Sequence, residues 1–207
     1  GATADRVGAR RTFTIGLTVF ALGSAACAAA PSLGVLIAAR AVQGLGASAL
    51  LPCSLALLVH QFPNAKERAR ALGVWGGMGS LGVALGPVAG GALVAAVGWR
   101  SIFLVNVPIC LLTVVLLRRF ADESPAHRDR RTDVPGLLLG VTMLAALTAS
   151  FIIAGSQGWT QPLPGTLLAA GLVAAWAFIS AERRYPHPVL PLELFKNKNL
   201  SGATAVG

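Results

Sequence analysis

Long runs of apolar residues alternate with short polar gaps along the whole chain. Six runs are long enough to cross a hydrocarbon layer as a helix, which takes roughly 20 residues. We predict membrane-spanning helices at Thr12–Ala30, Leu33–Val59, Arg70–Val97, Ser101–Arg119, Val134–Gly155 and Pro164–Ala181. The runs are continuously apolar, whereas the strands of a membrane barrel alternate in polarity over about 10 residues. The pattern therefore predicts an all-α integral membrane protein with six transmembrane helices.

Basic residues are concentrated in every second polar gap. Of the 17 lysines and arginines, only Arg100 lies in an intervening gap and only Arg40 lies inside an apolar run. The others are Arg6, Arg10, Arg11, Lys66, Arg68, Arg70, Arg118, Arg119, Arg128, Arg130, Arg131, Arg183, Arg184, Lys196 and Lys198. An excess of this kind is typical of cytoplasmic loops. We therefore predict a multi-pass protein of the plasma (inner) membrane with both ends of this chain in the cytoplasm.

Composition narrows the class further. The chain is 55% apolar and 12% charged, about half the charge of a soluble domain. The net charge of +9 is explained by topology, and no basic stripe with interleaved aromatic residues indicates nucleic-acid binding. Cys27, Cys53 and Cys110 all lie in spans without metal-ligand spacing. We therefore expect a lipid bilayer as the environment, and no nucleic acid, metal or cofactor.

The polar gaps also suggest how the chain is organised. We expect four spans within residues 1–120, a cytoplasmic linker at 121–133, a helix pair at 134–181, and a linker with the start of another span at 182–207. The first residue is Gly1 rather than Met, and an apolar stretch begins at Gly202 near the end. We therefore expect an interior piece of a longer membrane protein.

The polar gap before the first span holds one of three motifs that suggest function. A glycine-flanked turn there carries one acid and several bases, namely Asp5, Arg6, Gly8 and Arg10. Such a loop can pair charges across an interface, and Asp5 can cap the N-terminus of the following helix. The same charges also fit a simpler role as topology determinants.

The second motif surrounds the arginine inside the second span. On a helix Arg40, Gln43, Gly44 and Ala47 share one small and polar face. Arg40 lies about 10 Å into the span at 1.5 Å per residue. Its guanidinium can therefore either face a polar cavity beside Gln43 or extend to the membrane interface.

The third motif is a glycine repeat in the third span. Gly82, Gly86 and Gly90 recur at every fourth residue, with Pro87 and Gly91 beside them. Small residues at this spacing allow another helix to approach closely, and Pro87 leaves one carbonyl unpaired. Ordinary small-residue packing gives the same pattern.

With these motifs the chain resembles the major facilitator superfamily, in particular its drug:proton antiporter branch with fourteen spanning helices. The loop Gly1–Arg11 resembles the superfamily signature between spans two and three, although Thr3 stands where leucine is usual. Leu36–Gly46 is similar to the motif of span four, Gly82–Gly91 to the antiporter motif of span five, and Gly98–Pro108 to the entry into span six. No copy of the loop motif follows the sixth span, which favours fourteen helices over twelve.

The resemblance implies part of a major facilitator bundle, spans three to eight, with the second bundle elsewhere in the same polypeptide. It also implies proton-coupled export of small amphiphilic compounds, with Arg40 and Gln43 as candidates for proton coupling. All eight acids lie in segments predicted to be cytoplasmic, so the coupling acid is expected outside this chain. Two alternatives are a membrane sensor or scaffold on the same fold and a transporter of another solute. An intramembrane enzyme is disfavoured, because the spans hold no serine–histidine or histidine–aspartate arrangement.

The predicted topology can be tested by cysteine labelling in a cysteine-free background. We expect single cysteines at Ser32 and Gln161 to react with a membrane-impermeant maleimide on intact cells. Cysteines at Asn64 and His127 should react only after the cells are opened. Labelling at Asn64 in intact cells would reverse the orientation.

Overall fold

The computed structural model describes residues 7–123 and 134–182, in which all regular secondary structure is helical. The helices are α1 (Ala9–Ala29), α2 (Leu33–Gln61), α3 (Ala65–Val97), α4 (Ser101–Leu104), α5 (Asn106–Phe120), α6 (Val134–Gln157) and α7 (Pro162–Glu182). In these ranges six segments are long and apolar enough to cross a membrane, with α4 and α5 together forming the fourth. The predicted all-α fold with six spans is confirmed.

The third span starts earlier than its apolar run. We predicted a start at Arg70, but α3 begins at Ala65 because Asn64 caps it. The Asn64 side-chain oxygen accepts a hydrogen bond from the Lys66 backbone N–H at 3.0 Å, the usual role of asparagine at this position. Hydropathy predicts where the hydrocarbon begins, whereas the cap determines where the helix begins.

The fourth span is interrupted near its start. Helix α4 ends at Leu104, and α5 begins at Asn106. Pro108 has no N–H to donate to the carbonyl of Leu104, and its ring crowds that carbonyl. The break therefore has a local cause in the sequence.

Helices α1 and α2 form an antiparallel hairpin with very close backbones. A Cβ built on Gly23 would lie 2.7 Å from the Gln43 nitrogen, and one on Gly46 would lie 2.5 Å from the Phe20 nitrogen. On Gly16 it would lie 3.0 Å from the carbonyl oxygen of Gly46. Glycine at these three positions is therefore required by space rather than by backbone conformation.

The face of α2 that meets α1 is lined by small and polar residues. Gln43 and Gly46 are buried, and together with Ala39 and Cys53 they recur along one side of the helix. Gly44 is exposed, and a Cβ there would meet no described atom within 4 Å. Of the small and polar face identified in the sequence, Gln43 lies against α1, whereas Gly44 lies on the exposed side of α2 within the described helices.

The turn before α4 is tied to the end of α1. An Arg100 Nη2 donates to the carbonyl oxygen of Ala30 at 3.0 Å, which is one of the carbonyls that a helix end leaves unpaired. The guanidinium of Arg100 also lies 4.5 Å from the centre of the Trp99 ring. Gly98 permits the turn with a φ of +97°.

The glycine repeat of α3 meets no neighbour among the described residues. Helix α3 has no buried residue, and a Cβ on Gly82, Gly86 or Gly90 would have no described atom within 4 Å. The close helix approach predicted at these glycines is therefore not made within the described part of the chain. Helix α3 continues without interruption through Pro87.

The chain divides into two compact units, Gly1–Arg130 and Arg131–Gly207. The second unit holds the antiparallel pair α6 and α7. The Ser150 hydroxyl, fully buried, donates to the carbonyl oxygen of Pro164 at 2.7 Å. A Cβ on Gly171 would lie 2.7 Å from Leu147. Small residues and one internal hydrogen bond thus hold these helices together, as is usual in lipid.

Two glycines of α2, Gly44 and Gly46, allow a matched test of the α1–α2 contact. We expect Gly46→Ala to lower the free energy of unfolding of the purified chain by about 1–3 kcal/mol, because the added methyl overlaps the α1 backbone. Gly44→Ala adds the same methyl to an open face and improves helix propensity by about 1 kcal/mol. Thermal unfolding in detergent measures both. Equal melting temperatures for the two variants would contradict the packing described above.

Candidate functional site

A buried polar cluster connects α1, α2 and the break between α4 and α5. Its centre is Ser24, which has no exposed surface. The Ser24 hydroxyl donates to the carbonyl oxygen of Phe103 at 2.9 Å. It accepts hydrogen bonds from Gln43 Nε2 at 2.9 Å and from Asn106 Nδ2 at 3.1 Å. One donor and two acceptor sites are all that a serine hydroxyl offers, so its hydrogen-bonding capacity is fully used.

Gln43 connects this cluster to Arg40. Gln43 is 2% exposed, and its Oε1 accepts a hydrogen bond from Arg40 Nη1 at 2.8 Å. The Cys27 thiol lies 3.9 Å from the same oxygen. Because arginine has only donors, the amide oxygen must face Arg40 and the amide nitrogen must face Ser24. The surrounding groups therefore fix the orientation of the Gln43 amide.

The Arg40 guanidinium has a second neighbour in Phe103. Its Cζ lies 5.8 Å from the centre of the Phe103 ring, within the range of a cation–π interaction. Arg40 is nevertheless exposed within the described structure, and only one of its five donors is used by Gln43. The arrangement holds a cation against one side of the cluster and leaves most of its donors available.

The sequence predicted two members of this cluster and missed its centre. Arg40 and Gln43 are brought together as expected from their spacing on one helix. Ser24 was not recognised, because a single serine in an apolar run has no distinctive local pattern. Its one signal is position: it follows Gly23 and precedes Cys27 and Ala28, all small residues on the side of α1 that is buried.

A second cluster lies at the start of α1. Gly8 is the N-cap residue and supplies no side chain. The Glu123 carboxylate takes this role: its Oε1 accepts from the backbone N–H of Arg10 at 3.0 Å and of Arg11 at 3.4 Å. A carboxylate at this place also interacts favourably with the positive end of the helix dipole. Residues just after α5 thus cap the helix that begins more than a hundred residues earlier.

Arg10 reinforces the same contact with its side chain. Its Nη1 donates to the carbonyl oxygen of Ala121 at 2.8 Å, and its Nε lies 3.7 Å from Glu123 Oε2. Both side chains are more than a third exposed, so the ion pair itself contributes little to stability. The hydrogen bonds to the helix end carry most of the effect.

Gly8 is required here for two reasons. Its φ is +99°, a conformation that other residues rarely adopt. A Cβ at this position would also overlap the Glu123 carboxylate. Of the loop residues named in the sequence analysis, Gly8 and Arg10 therefore form this cluster, while Asp5 and Arg6 lie outside the described residues. Among the described residues, the side chain that caps α1 is that of Glu123.

These features define a multi-pass membrane protein whose polar groups are gathered around one intramembrane arginine. Residues 1–201 match the family model of the Major Facilitator Superfamily. The chain belongs to this superfamily.

Several relatives of the chain are named for resistance or efflux. It is 43% identical over 202 residues to the multidrug resistance protein Stp of Mycobacterium tuberculosis, covering 98% of this chain and 38% of that protein. It is 41% identical over 207 residues to the methylenomycin A resistance protein of Streptomyces coelicolor, covering 100% and 43%. It is 40% identical over 196 residues to the drug efflux pump JefA of M. tuberculosis, covering 92% and 38%. The chain spans less than half the length of these relatives.

The contribution of the Glu123 cap to stability can be tested by comparing substitutions at Glu123 and at the neighbouring Asp122. We expect Glu123→Ala to lower the free energy of unfolding by about 1 kcal/mol, the usual effect of losing a helix cap. Asp122→Ala removes the same charge one residue earlier and should have little effect. Thermal unfolding of the purified chain measures both variants. If they melt at the same temperature, the Glu123 contact does not stabilise the start of α1.

Proposed function

We propose that this chain is part of a secondary transporter that exports drugs or other amphiphilic compounds in exchange for protons. The names of the relatives support export as the activity, since they describe multidrug resistance, antibiotic resistance and drug efflux. Alternating access would require a second helical bundle facing this one across a central cavity. Residues 1–120 would belong to the first bundle, and 134–181 would be the additional helix pair of a fourteen-helix protein.

The observation that carries the proposal is the placement of Arg40. It lies about 10 Å from the start of α2 at 1.5 Å per residue, and its guanidinium is bound by Gln43 and stacked near Phe103. Placing an arginine inside a membrane costs free energy, so an arginine found there usually has a function. A snorkelling side chain would extend to the interface, whereas this one is held against polar groups of its own bundle.

The proposed role of Arg40 is to control a carboxylate elsewhere in the transporter. A guanidinium within about 4–6 Å of a carboxylate favours its charged form. Protonation of that acid and binding of substrate would then compete for the same state of the carrier. The acid is proposed to lie in a part of the transporter outside this chain, and the protein to be in the inner membrane with the basic loops in the cytoplasm.

The remaining assignments of the sequence analysis are also part of the proposal. Gly82, Gly86, Pro87, Gly90 and Gly91 would face a helix of the complete transporter. Asp5, Arg6, Gly8 and Arg10 would form a gating loop that pairs charges between bundles. A sensor or scaffold on the same fold would keep the packing of the α3 glycines and of the loop before α1. It would not need the free N–H donors of the Arg40 guanidinium.

Substitution of Arg40 in the full-length transporter tests the proposal. We expect Arg40→Lys to lower proton-driven efflux about tenfold, because lysine keeps the charge but loses the planar donor geometry. Arg40→Ala should abolish efflux. Uptake of a fluorescent substrate into inverted vesicles with an imposed proton gradient, at matched abundance, measures both.

Arg100→Lys is the matched control, because Arg100 also combines one carbonyl hydrogen bond with an aromatic ring. It should keep efflux within about twofold, because lysine keeps the charge at this exposed turn and can still donate to the Ala30 carbonyl. Normal transport by both Arg40 variants would contradict the role of Arg40. Dye export independent of the proton gradient in the wild type would contradict proton coupling.

A further inference from the structure

The hydroxyl of Ser24 contacts both groups that flank the Arg40 guanidinium. On one side of Arg40 is the Gln43 oxygen, whose amide nitrogen is bound to Ser24. On the other side is the Phe103 ring, whose backbone carbonyl accepts the Ser24 proton. Ser24 itself does not touch Arg40 in the described structure. It is bonded to both residues that contact the guanidinium, Gln43 and Phe103.

The Gln43 amide is held at both of its polar atoms, the oxygen by Arg40 and the nitrogen by Ser24. With Ser24 present, the amide nitrogen has an acceptor, and the oxygen faces the guanidinium. If the amide turned over, its NH₂ group would face the donors of Arg40, and neither group would offer an acceptor. A buried polar group without a partner is costly, so Arg40 at the amide oxygen and Ser24 at the amide nitrogen together favour this one orientation.

Asn106 strengthens the same centre from α5. Its Nδ2 donates to Ser24 at 3.1 Å, at the start of the helix that follows the break after Leu104. The hydroxyl thereby receives two donors and has its own proton directed to the carbonyl of Phe103. A hydroxyl bonded in three directions has little rotational freedom, which makes it a well-defined anchor.

We propose that Ser24 is a positioning residue for Arg40. Acting through Gln43 and Phe103, it would keep the guanidinium at one place beside the cluster, with its remaining donors in a constant direction. This inference rests on the proposed role of Arg40 in transport. It extends that role from α2 to α1, where Ser24 lies 16 residues before Arg40 in the chain.

Loss of the hydroxyl would disturb the arginine without removing it. In Ser24→Ala the donors Gln43 Nε2 and Asn106 Nδ2 lose their acceptor, and the Phe103 carbonyl loses its donor. The Gln43 amide keeps its oxygen toward Arg40 but is no longer held at its nitrogen, so the acceptor that Arg40 binds is less firmly positioned. We expect efflux per transporter molecule to fall about fivefold, because one buried hydrogen bond contributes about 1 kcal/mol.

A merely structural role for Ser24 predicts a different result. It would lower the amount of folded protein, but the molecules that fold would transport normally. Ser150→Ala provides this comparison: Ser150 is equally buried and also donates to a carbonyl of another helix, but it lies in the unit formed by α6 and α7. We expect Ser150→Ala to lower abundance while efflux per molecule stays within about twofold of wild type.

The experiment measures efflux per molecule in the full-length transporter, in inverted vesicles with an imposed proton gradient. The variants are Ser24→Ala, Ser24→Thr, Arg40→Lys, the double variant Ser24→Ala/Arg40→Lys, and Ser150→Ala. Threonine keeps the hydroxyl, so Ser24→Thr should restore efflux per molecule relative to Ser24→Ala even where its extra methyl lowers abundance. If Ser24 acts through Arg40, the double variant should be no worse than Arg40→Lys alone, because the two changes affect one unit.

Three outcomes would overturn the inference while leaving the role of Arg40 intact. The first is normal efflux per molecule in Ser24→Ala, the second is no recovery in Ser24→Thr, and the third is additive losses in the double variant. In all three cases efflux in Arg40→Lys is still reduced. Normal efflux in Arg40→Lys would instead contradict the proposed function on which the inference rests.

Discussion

At Gly23 the backbones of α1 and α2 approach so closely that a Cβ would lie 2.7 Å from the Gln43 nitrogen. Ser24 is the next residue of α1, so this proximity also brings the Gln43 side chain within hydrogen-bonding distance of the Ser24 hydroxyl. In a hydrocarbon environment polar groups must find partners within the protein, because water is absent. The packing of small residues thus determines where a polar cluster can form, and the cluster in turn determines where a charged side chain is supported.

Helix α1 is held at both ends by the segment around α5. Near its end, Ser24 bonds to the carbonyl of Phe103 and to Asn106, and at its start the Glu123 carboxylate accepts from two backbone N–H groups. The two contacts lie on opposite sides of the span. A shift of α5 along α1 would break both, so the pair is fixed in register as well as in proximity.

The spans and the Arg40–Gln43 pair were predictable because they depend on local patterns. Apolar length gives the number of spans, and helical spacing places Gln43 one turn from Arg40. The role of Ser24 and the cap by Glu123 were not predictable, since each joins residues about 80 or more positions apart that no periodicity relates. Gly44 and Gly46 show the same limit of local patterns. Both are glycines of one motif, but only the position of α1 decides that Gly46 contacts it and Gly44 does not.

The saturation of Ser24 has a consequence for the movement of protons. A hydroxyl passes a proton along a chain of hydrogen bonds only by accepting from one side while releasing to the other. Here both acceptor sites are occupied by amide groups, which do not give up their protons readily, and the single proton is bound to a backbone carbonyl. A chain of hydrogen-bonded waters and side chains that carries a proton would therefore end at this cluster rather than pass through it. A proton route near Arg40 would therefore have to bypass the Ser24 hydroxyl.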